Sequence, residues 1–293
     1  MKFRTEISIK DAPKNLSPER LVVLAGSCFS DNIGGRMKLA GWPAEANPFG
    51  VIYNPVSMAV LFQLAMSHPA VRREIIESSI TMREGRYVSW FVGATCMADT
   101  PEDCVDRVCD CIERLEGGIE KGSALILTFG TADVWLLAGT DRAVGNCHKH
   151  PAAEFEKRRV TVEEICTTWT EMIRAMRMRN PELKIFLTVS PRRYLSDGFA
   201  ENSRQKAVLL LACEQLEKTL QDVYYFPAYE ILNDDLRDYR FYDKDLLHPS
   251  EMAIEYIWEK FCEFTLTTGE WEKLKAMEKE ARRGRHIEIG NKS

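Results

Sequence analysis

The chain has 293 residues, 45% hydrophobic and 28% charged, which suits one large core and excludes a disordered or fibrous polymer. Its net charge of −5 is spread over interleaved acids and bases, so there is no basic footprint for nucleic acid or an anionic membrane surface. No run approaches the roughly 18 apolar residues of a membrane helix, and the opening MKFRTEISIKDAPKN lacks the apolar stretch of a signal peptide, so the expectation is a cytoplasmic protein without membrane partners.

In chain order, RLVVLAG (20–26) reads as a strand that runs into Gly26-Ser27-Cys28, where a helix begins, and a short second strand follows near WPAEAN. Residues 69–121 are less regular and read as an insertion or long crossover, within which DTPEDCVDRVCDCIERLEGG forms a helix opened by Thr100 and Pro101. SALILTFG (123–130), LKIFLTVSP (183–191) and DVYYFPAY (222–229) are further strands. Between them lie helices over 162–179 and 202–220, the second starting on an Asn or Ser cap. The strands are continuous apolar runs rather than alternating ones, as expected when both faces are covered, so the fold is a doubly wound α/β sandwich with a parallel sheet. This domain spans 1–267, and 268–293 is a charged tail, helix-prone up to Arg283.

In such a sheet, ligands bind beyond the carboxyl ends of the strands. There the sequence offers Ser27 and Cys28, Gly130 to Asp133, Ser190 to Arg193, and the late loop YDKDLLHPS, in which Asp245 and His248 stand three apart and Pro249 suits the first turn of a helix. A nucleophilic hydrolase needs a hydroxyl or thiol, an imidazole to take its proton and a carboxylate to fix the imidazole. Cys28, His248 and Asp245 supply those types, and a helix beginning at Cys28 is expected to lower the thiol pKa and to offer N–H groups to an oxyanion. The plainer alternatives are a turn in which Ser27 caps and Cys28 packs, and a capping aspartate beside a solvated histidine. A zinc set of Cys28, Cys147, His148 and His248 is the rival chemistry. A cysteine phosphatase fails on spacing, because position 34 is Gly and the nearest arginine is Arg36. Nine cysteines with no C-x-x-C pair are expected to be mostly reduced and structural.

The string Gly26-Ser27-Cys28-Phe29-Ser30 resembles the naming motif of the GSCFA family, within the SGNH or GDSL hydrolase superfamily, with Ser30 where the motif has Ala. NPFGVIYNP (47–55), TFGTADVW (128–135), VGNCHKHPAAEF (144–155), the Ser190-Pro191 turn and YRFYDKDLLHPS (239–250) add to the resemblance, which covers about residues 1 to 265. It implies a flavodoxin-like three-layer α/β/α fold with Cys28 as nucleophile, Ser27 at the superfamily's Asp position, and Asp245 and His248 as the final block. Gly50 falls to the glycine donor of the oxyanion hole, and Gly130 opens the third block. That block departs from the superfamily pattern, because Ala132 stands where an asparagine donor belongs, so Asn54 or Asn146 is expected to bring the amide.

The expected activity is therefore that of an esterase or deacylase, or of an acyltransferase, on an acylated small molecule or carbohydrate, with no cofactor. His148, Lys149 and Arg192 are candidates for an anionic or sugar group, and Trp42, Tyr53, Trp135 and Tyr194 for an acyl pocket or the core. The alternative is a ligand-binding module that keeps the fold without the catalysis. The sequence carries no signal of oligomeric state.

Overall fold

The computed structural model describes residues 4–9 and 13–290, with backbone alone for 282–290. In chain order the elements are β1 (Val22–Gly26), α1 (Cys28–Leu39), β2 (Ala44–Ala46), α2 (Pro55–Met66), α3 (Pro69–Glu77), β3 (Ile80–Arg83), β4 (Arg86–Ser89) and α4 (Pro101–Lys121). Then follow β5 (Ala124–Phe129), β6 (Asp133–Leu137), β7 (Ala143–Val144), β8 (Phe155–Arg159), α5 (Val162–Arg179), β9 (Lys184–Val189), α6 (Phe199–Thr219), β10 (Val223–Tyr225), the short α7 (Ala228–Glu230), α8 (Glu251–Thr265) and α9 (Thr268–Gly290).

Five strands form one parallel sheet in the order β10-β9-β5-β1-β2. Counted along the chain this is the flavodoxin-like order 2-1-3-4-5, and the direction of winding reverses between β1 and β5, where such sheets open a crevice. Both faces are covered, which is why the strands read as unbroken apolar runs. Val23, Ala25, Leu125, Leu127, Ile185 and Leu187 face a core with α2, α4, α5 and α6, whereas Val22, Leu24, Ala124, Ile126 and Phe186 face one with α1 and α8. Trp169 of α5 packs edge-on against Phe62 at 5.3 Å and donates its indole N–H to Pro55 O at 3.2 Å, satisfying its one polar atom in the core.

Several boundaries differ from the sequence reading for identifiable reasons. The 69–121 segment resolves into α3, the β3–β4 hairpin and α4, and α4 is a packed crossover helix, capped by Thr100 as expected. An antiparallel sheet, β7-β6-β8, stands between β5 and α5 where no strands were read. Helix α6 starts at Phe199 behind Gly198 (φ +86°), and neither Asn202 nor Ser203 caps it, because the helix already includes both. Ser250 caps α8 by accepting from Ala253 N, so Pro249 lies just before the helix rather than in its first turn. Helix α9 buries Leu274 on the α1–α8 side. Among the described residues, no helix is long and apolar enough to cross a membrane.

Candidate active site

The end of β1 is a tight elbow. Gly26 has φ +139°, and a Cβ there would lie 2.2 Å from Thr128 O on β5, so the approach of the two strands requires glycine. Asn47, itself at φ +42°, braces the turn: its Oδ1 accepts from Gly26 N at 2.8 Å, and its Nδ2 donates to Asp31 at 2.8 Å and to Ser27 O at 3.4 Å. Ser27 is fully buried, and its Oγ accepts from Phe29 N at 3.2 Å as the N-cap of α1. Cys28 is the first residue of α1 and is half-buried. At that position its N–H has no acceptor within the helix. Burial pushes the Cys28 thiol above its ordinary value, Arg192 opposes the shift and Asp31 adds to it. The helix terminus was expected to lower this pKa, and desolvation outweighs it.

The second element is the loop before α8. Asp245 Oδ1 accepts from the backbone N–H groups of His248 and Leu247, both at 2.9 Å, and Oδ2 is hydrogen-bonded to His248 Nδ1. The His248 and Leu247 amides and then the His248 ring hold the Asp245 carboxyl below the usual carboxylate range, so it stays ionised. With Nδ1 engaged, Nε2 is the free nitrogen. No hydrogen bond joins His248 to Cys28 Sγ among the described residues.

Beyond the carboxyl ends of β5 and β9 lies a cleft of about 330 Å³ whose walls include Tyr53, Trp135, Arg192, Tyr194 and Gln205 but not Cys28, Asp245 or His248. The register pairs Gly26 with Thr128, and Ser27 N donates to Thr128 O at 3.2 Å, so the elbow that leads into Cys28 lies beside the end of β5. A Cβ on Gly130 would meet Tyr194 Oη at 2.9 Å and Tyr53 Cβ at 3.1 Å, so the two tyrosines close directly over this glycine. Their rings cross edge-to-face at 5.4 Å, and the Arg192 guanidinium lies 4.9 Å from the Tyr194 ring. Tyr194 Oη and Arg192 Nε are buried without a well-formed hydrogen bond among the described residues, and the Arg192 side chain acts on Tyr194 as a donor that opposes the rise of its pKa. Burial, followed by the charges of Tyr53 and Cys28, holds the Tyr194 phenol well above its ordinary value, so it remains a donor. Beneath it, the fully buried Lys206 donates to Gly130 O at 2.8 Å and Ser190 O at 2.7 Å, tying the end of β5 to that of β9.

The GSCFA family model matches residues 21–261. The chain belongs to the GSCFA family. No curated protein matches it. Among solved structures it is similar to a mutant acetyl esterase with an acetate ion, at 11% identity over 89% of this chain and 99% of that one, with a TM-score of 0.38. It is also similar to a carbohydrate esterase family 3 protein from Talaromyces cellulolyticus, at 12% identity over 89% of this chain and 99% of that one, with a TM-score of 0.35. A third is an acetyl xylan esterase from Butyrivibrio proteoclasticus, at 8% identity over 85% of this chain and 63% of that one, with a TM-score of 0.40.

In this GSCFA chain the other candidates are dispersed. Gly50 N–H donates to Asn47 O at 2.8 Å, and Gly130 N–H to Tyr53 O at 2.7 Å. Asn54 lines the cleft but caps α2, accepting from Val56 N at 2.8 Å, while its amide donates to Thr131 O at 3.3 Å. Asn146 Oδ1 accepts from His148 N at 2.7 Å and shapes its own turn. His148 is buried beside Trp90 with Nε2 on Ser89 O at 2.9 Å, outside the cleft, and burial lowers its pKa. Cys147 packs against the same Trp90 cluster. The proposed zinc set is therefore not assembled, and no group of three or more His, Cys, Asp or Glu among the described residues is placed to hold a metal. Trp42 is core, its indole donating to Arg20 O at 2.9 Å. Sequence reasoning missed Asn47, Lys206 and Gln205, whose partners are set by the fold. The one local signal was the Gly-Ser-Cys turn that Asn47 braces.

Proposed function

We propose that this chain is an acyl hydrolase, an esterase or deacylase, or an acyltransferase that uses Cys28 on an ester or thioester. The observation that carries the reading is the Asp245–His248 hydrogen bond, which leaves His248 Nε2 as the acceptor a nucleophile requires. Because burial keeps Cys28 protonated near neutrality, attack needs that base. His248 Nε2 takes the thiol proton as Cys28 Sγ bonds to the acyl carbon, and the carbonyl electron pair moves onto oxygen. Collapse expels the alkoxide or thiolate, which His248 protonates, and leaves an acyl thioester that passes to water or to another acceptor.

Two donors are assigned to the oxyanion: the Cys28 N–H at the start of α1 and the Tyr194 hydroxyl in place of the donor that Ala132 lacks. The Gly50 N–H and the Asn54 amide are already engaged, which supports the second assignment. Arg192 is assigned to an anionic group of an acylated small molecule or carbohydrate. The compartment consistent with a free thiol nucleophile is the cytoplasm.

The test is turnover of a short-chain p-nitrophenyl ester, with intact-mass detection of an acylated protein. Cys28→Ala and His248→Ala are expected to abolish both signals, and Ser27→Ala to retain the adduct on Cys28. Full turnover by Cys28→Ala would remove the nucleophile from this reading.

A further inference from the structure

A second pair of thiols meets away from the cleft. Cys96 Sγ, at the end of the helical turn Ala94–Cys96, lies 3.3 Å from Cys111 Sγ on α4. Arg114, one turn further along α4, donates from Nη2 to Cys111 Sγ at 3.1 Å. Both cysteines line an open groove of about 620 Å³, through which a small oxidant reaches sulfur that is otherwise covered.

The pair is asymmetric. Either sulfur can donate in the Cys96–Cys111 contact, but Cys111 Sγ also accepts from the Arg114 guanidinium, and these contacts together hold the Cys111 thiol below its ordinary value against burial. Cys104 and Cys109 on the same helix are pushed up by burial, as are Cys147, Cys166, Cys213 and Cys262. A nucleophilic thiolate beside a protonated partner is what separates a reactive dithiol from buried structural cysteines.

We propose that Cys96 and Cys111 form a redox-active dithiol that hydrogen peroxide closes to a reversible disulfide. The Cys111 thiolate attacks one peroxide oxygen, the O–O bond breaks, and hydroxide leaves as water after protonation, giving a sulfenic acid on Cys111. Cys96 sulfur then bonds to Cys111 sulfur as the S–O bond breaks, and the departing hydroxyl leaves as water with the Cys96 proton. The two sulfurs are oxidised and the peroxide is reduced. Disulfide closure needs an approach from 3.3 Å to about 2.05 Å. Arg114 thereby loses one of its anionic partners and keeps Glu45 Oε1 at 3.6 Å and Pro48 O at 3.1 Å, the latter in the loop that carries Asn47.

The test treats the intact chain with limiting hydrogen peroxide and maps its peptides by mass spectrometry without reduction. A Cys96–Cys111 cross-link, with loss of the two thiol hydrogens and reversal by dithiothreitol, is expected while Cys104 and Cys109 remain free. Cys111 should react about tenfold faster than either of them. In Cys96→Ser, oxidation should stop at a sulfenic acid on Cys111 that dimedone traps. Cys96 and Cys111 remaining free after Cys104 and Cys109 are oxidised, or cross-linking to other cysteines, would overturn the proposal. The readout is independent of acyl turnover.

Discussion

Tyr194→Phe separates catalysis from stability, because the two effects are expected to have opposite signs. The hydroxyl is buried and makes no well-formed hydrogen bond among the described residues, with only the Arg192 guanidinium acting on it, so most of a desolvation cost of about 1–3 kcal/mol is not offset. Phenylalanine keeps the edge-to-face contact with Tyr53 at 5.4 Å and the stacked Arg192 at 4.9 Å. Thermal unfolding should therefore stay level or move up, by about 2–4 °C for each kcal/mol recovered. Turnover should fall by about 10²–10³, or about 2.7–4 kcal/mol of transition-state stabilisation, with KM little changed, because the donor acts on the oxyanion rather than on the ground-state carbonyl. Alkylation of Cys28 by iodoacetamide passes through no oxyanion and should keep its rate. The assay set is steady-state kinetics on an activated ester, thermal unfolding and the alkylation rate. Unchanged kcat in the variant would refute the donor role. A loss of stability would show that the hydroxyl is structural.

Asn47→Ala should cost about 1–3 kcal/mol in urea unfolding, because it strands the buried Gly26 N–H, and Asn47→Gly less, since glycine accepts φ +42° without strain. Ser27→Ala should cost about 1 kcal/mol through the lost cap while acyl turnover stays dependent on Cys28. In His248→Ala, the iodoacetamide rate at Cys28 should rise with pH to a midpoint above the ordinary thiol value of about 8.5, because burial raises that pKa. A midpoint below it would mean that Arg192 and the helix terminus prevail. Burial holds Lys206 well below the ordinary lysine value, so between its folded pKa and about 10.4 the unfolded chain binds more protons. Through this group stability rises with pH and is lost as pH falls through that window. Lys206→Met should remove that slope in pH-dependent unfolding and cost about 1–3 kcal/mol for each stranded carbonyl.

The parts legible in the sequence are those whose physics is local or repeated. β1, β5 and β9 were readable because a strand covered on both faces is apolar at every position, and α5 because its apolar period and its Thr161–Glu164 capping box lie within the segment. The β7-β6-β8 sheet was not readable: its strands are short, and β8 reads Phe-Glu-Lys-Arg-Arg, a half-exposed edge whose charges face solvent and Asp133. Similarly, Gly26-Ser27-Cys28 and Asp245-x-x-His248 were legible because a tight turn and an Asx loop are encoded by contiguous residues. The thiol pKa was misjudged because the helix terminus can be inferred from sequence, whereas the opposing desolvation depends on what packs over Cys28.

The unread part of the site is where chain-distant residues meet. Ala132 is fully buried in the core, so a donor at that position would point into apolar packing unless the loop after β5 were rearranged. The Tyr194 hydroxyl instead reaches over Gly130 from the loop after β9, a position fixed only if the two strand ends stay together. Lys206 provides that tie by bridging Gly130 O and Ser190 O, as Asn47 does for the ends of β1 and β2. If Tyr194 is the oxyanion donor, its position depends on the buried Lys206 amine that holds the two strand ends together. On that logic, weakening the Lys206 tie should lower kcat through Tyr194. The double variant Lys206→Met/Tyr194→Phe should then lose less than the product of the two single losses, whereas full additivity would mean that the lysine supports the fold alone.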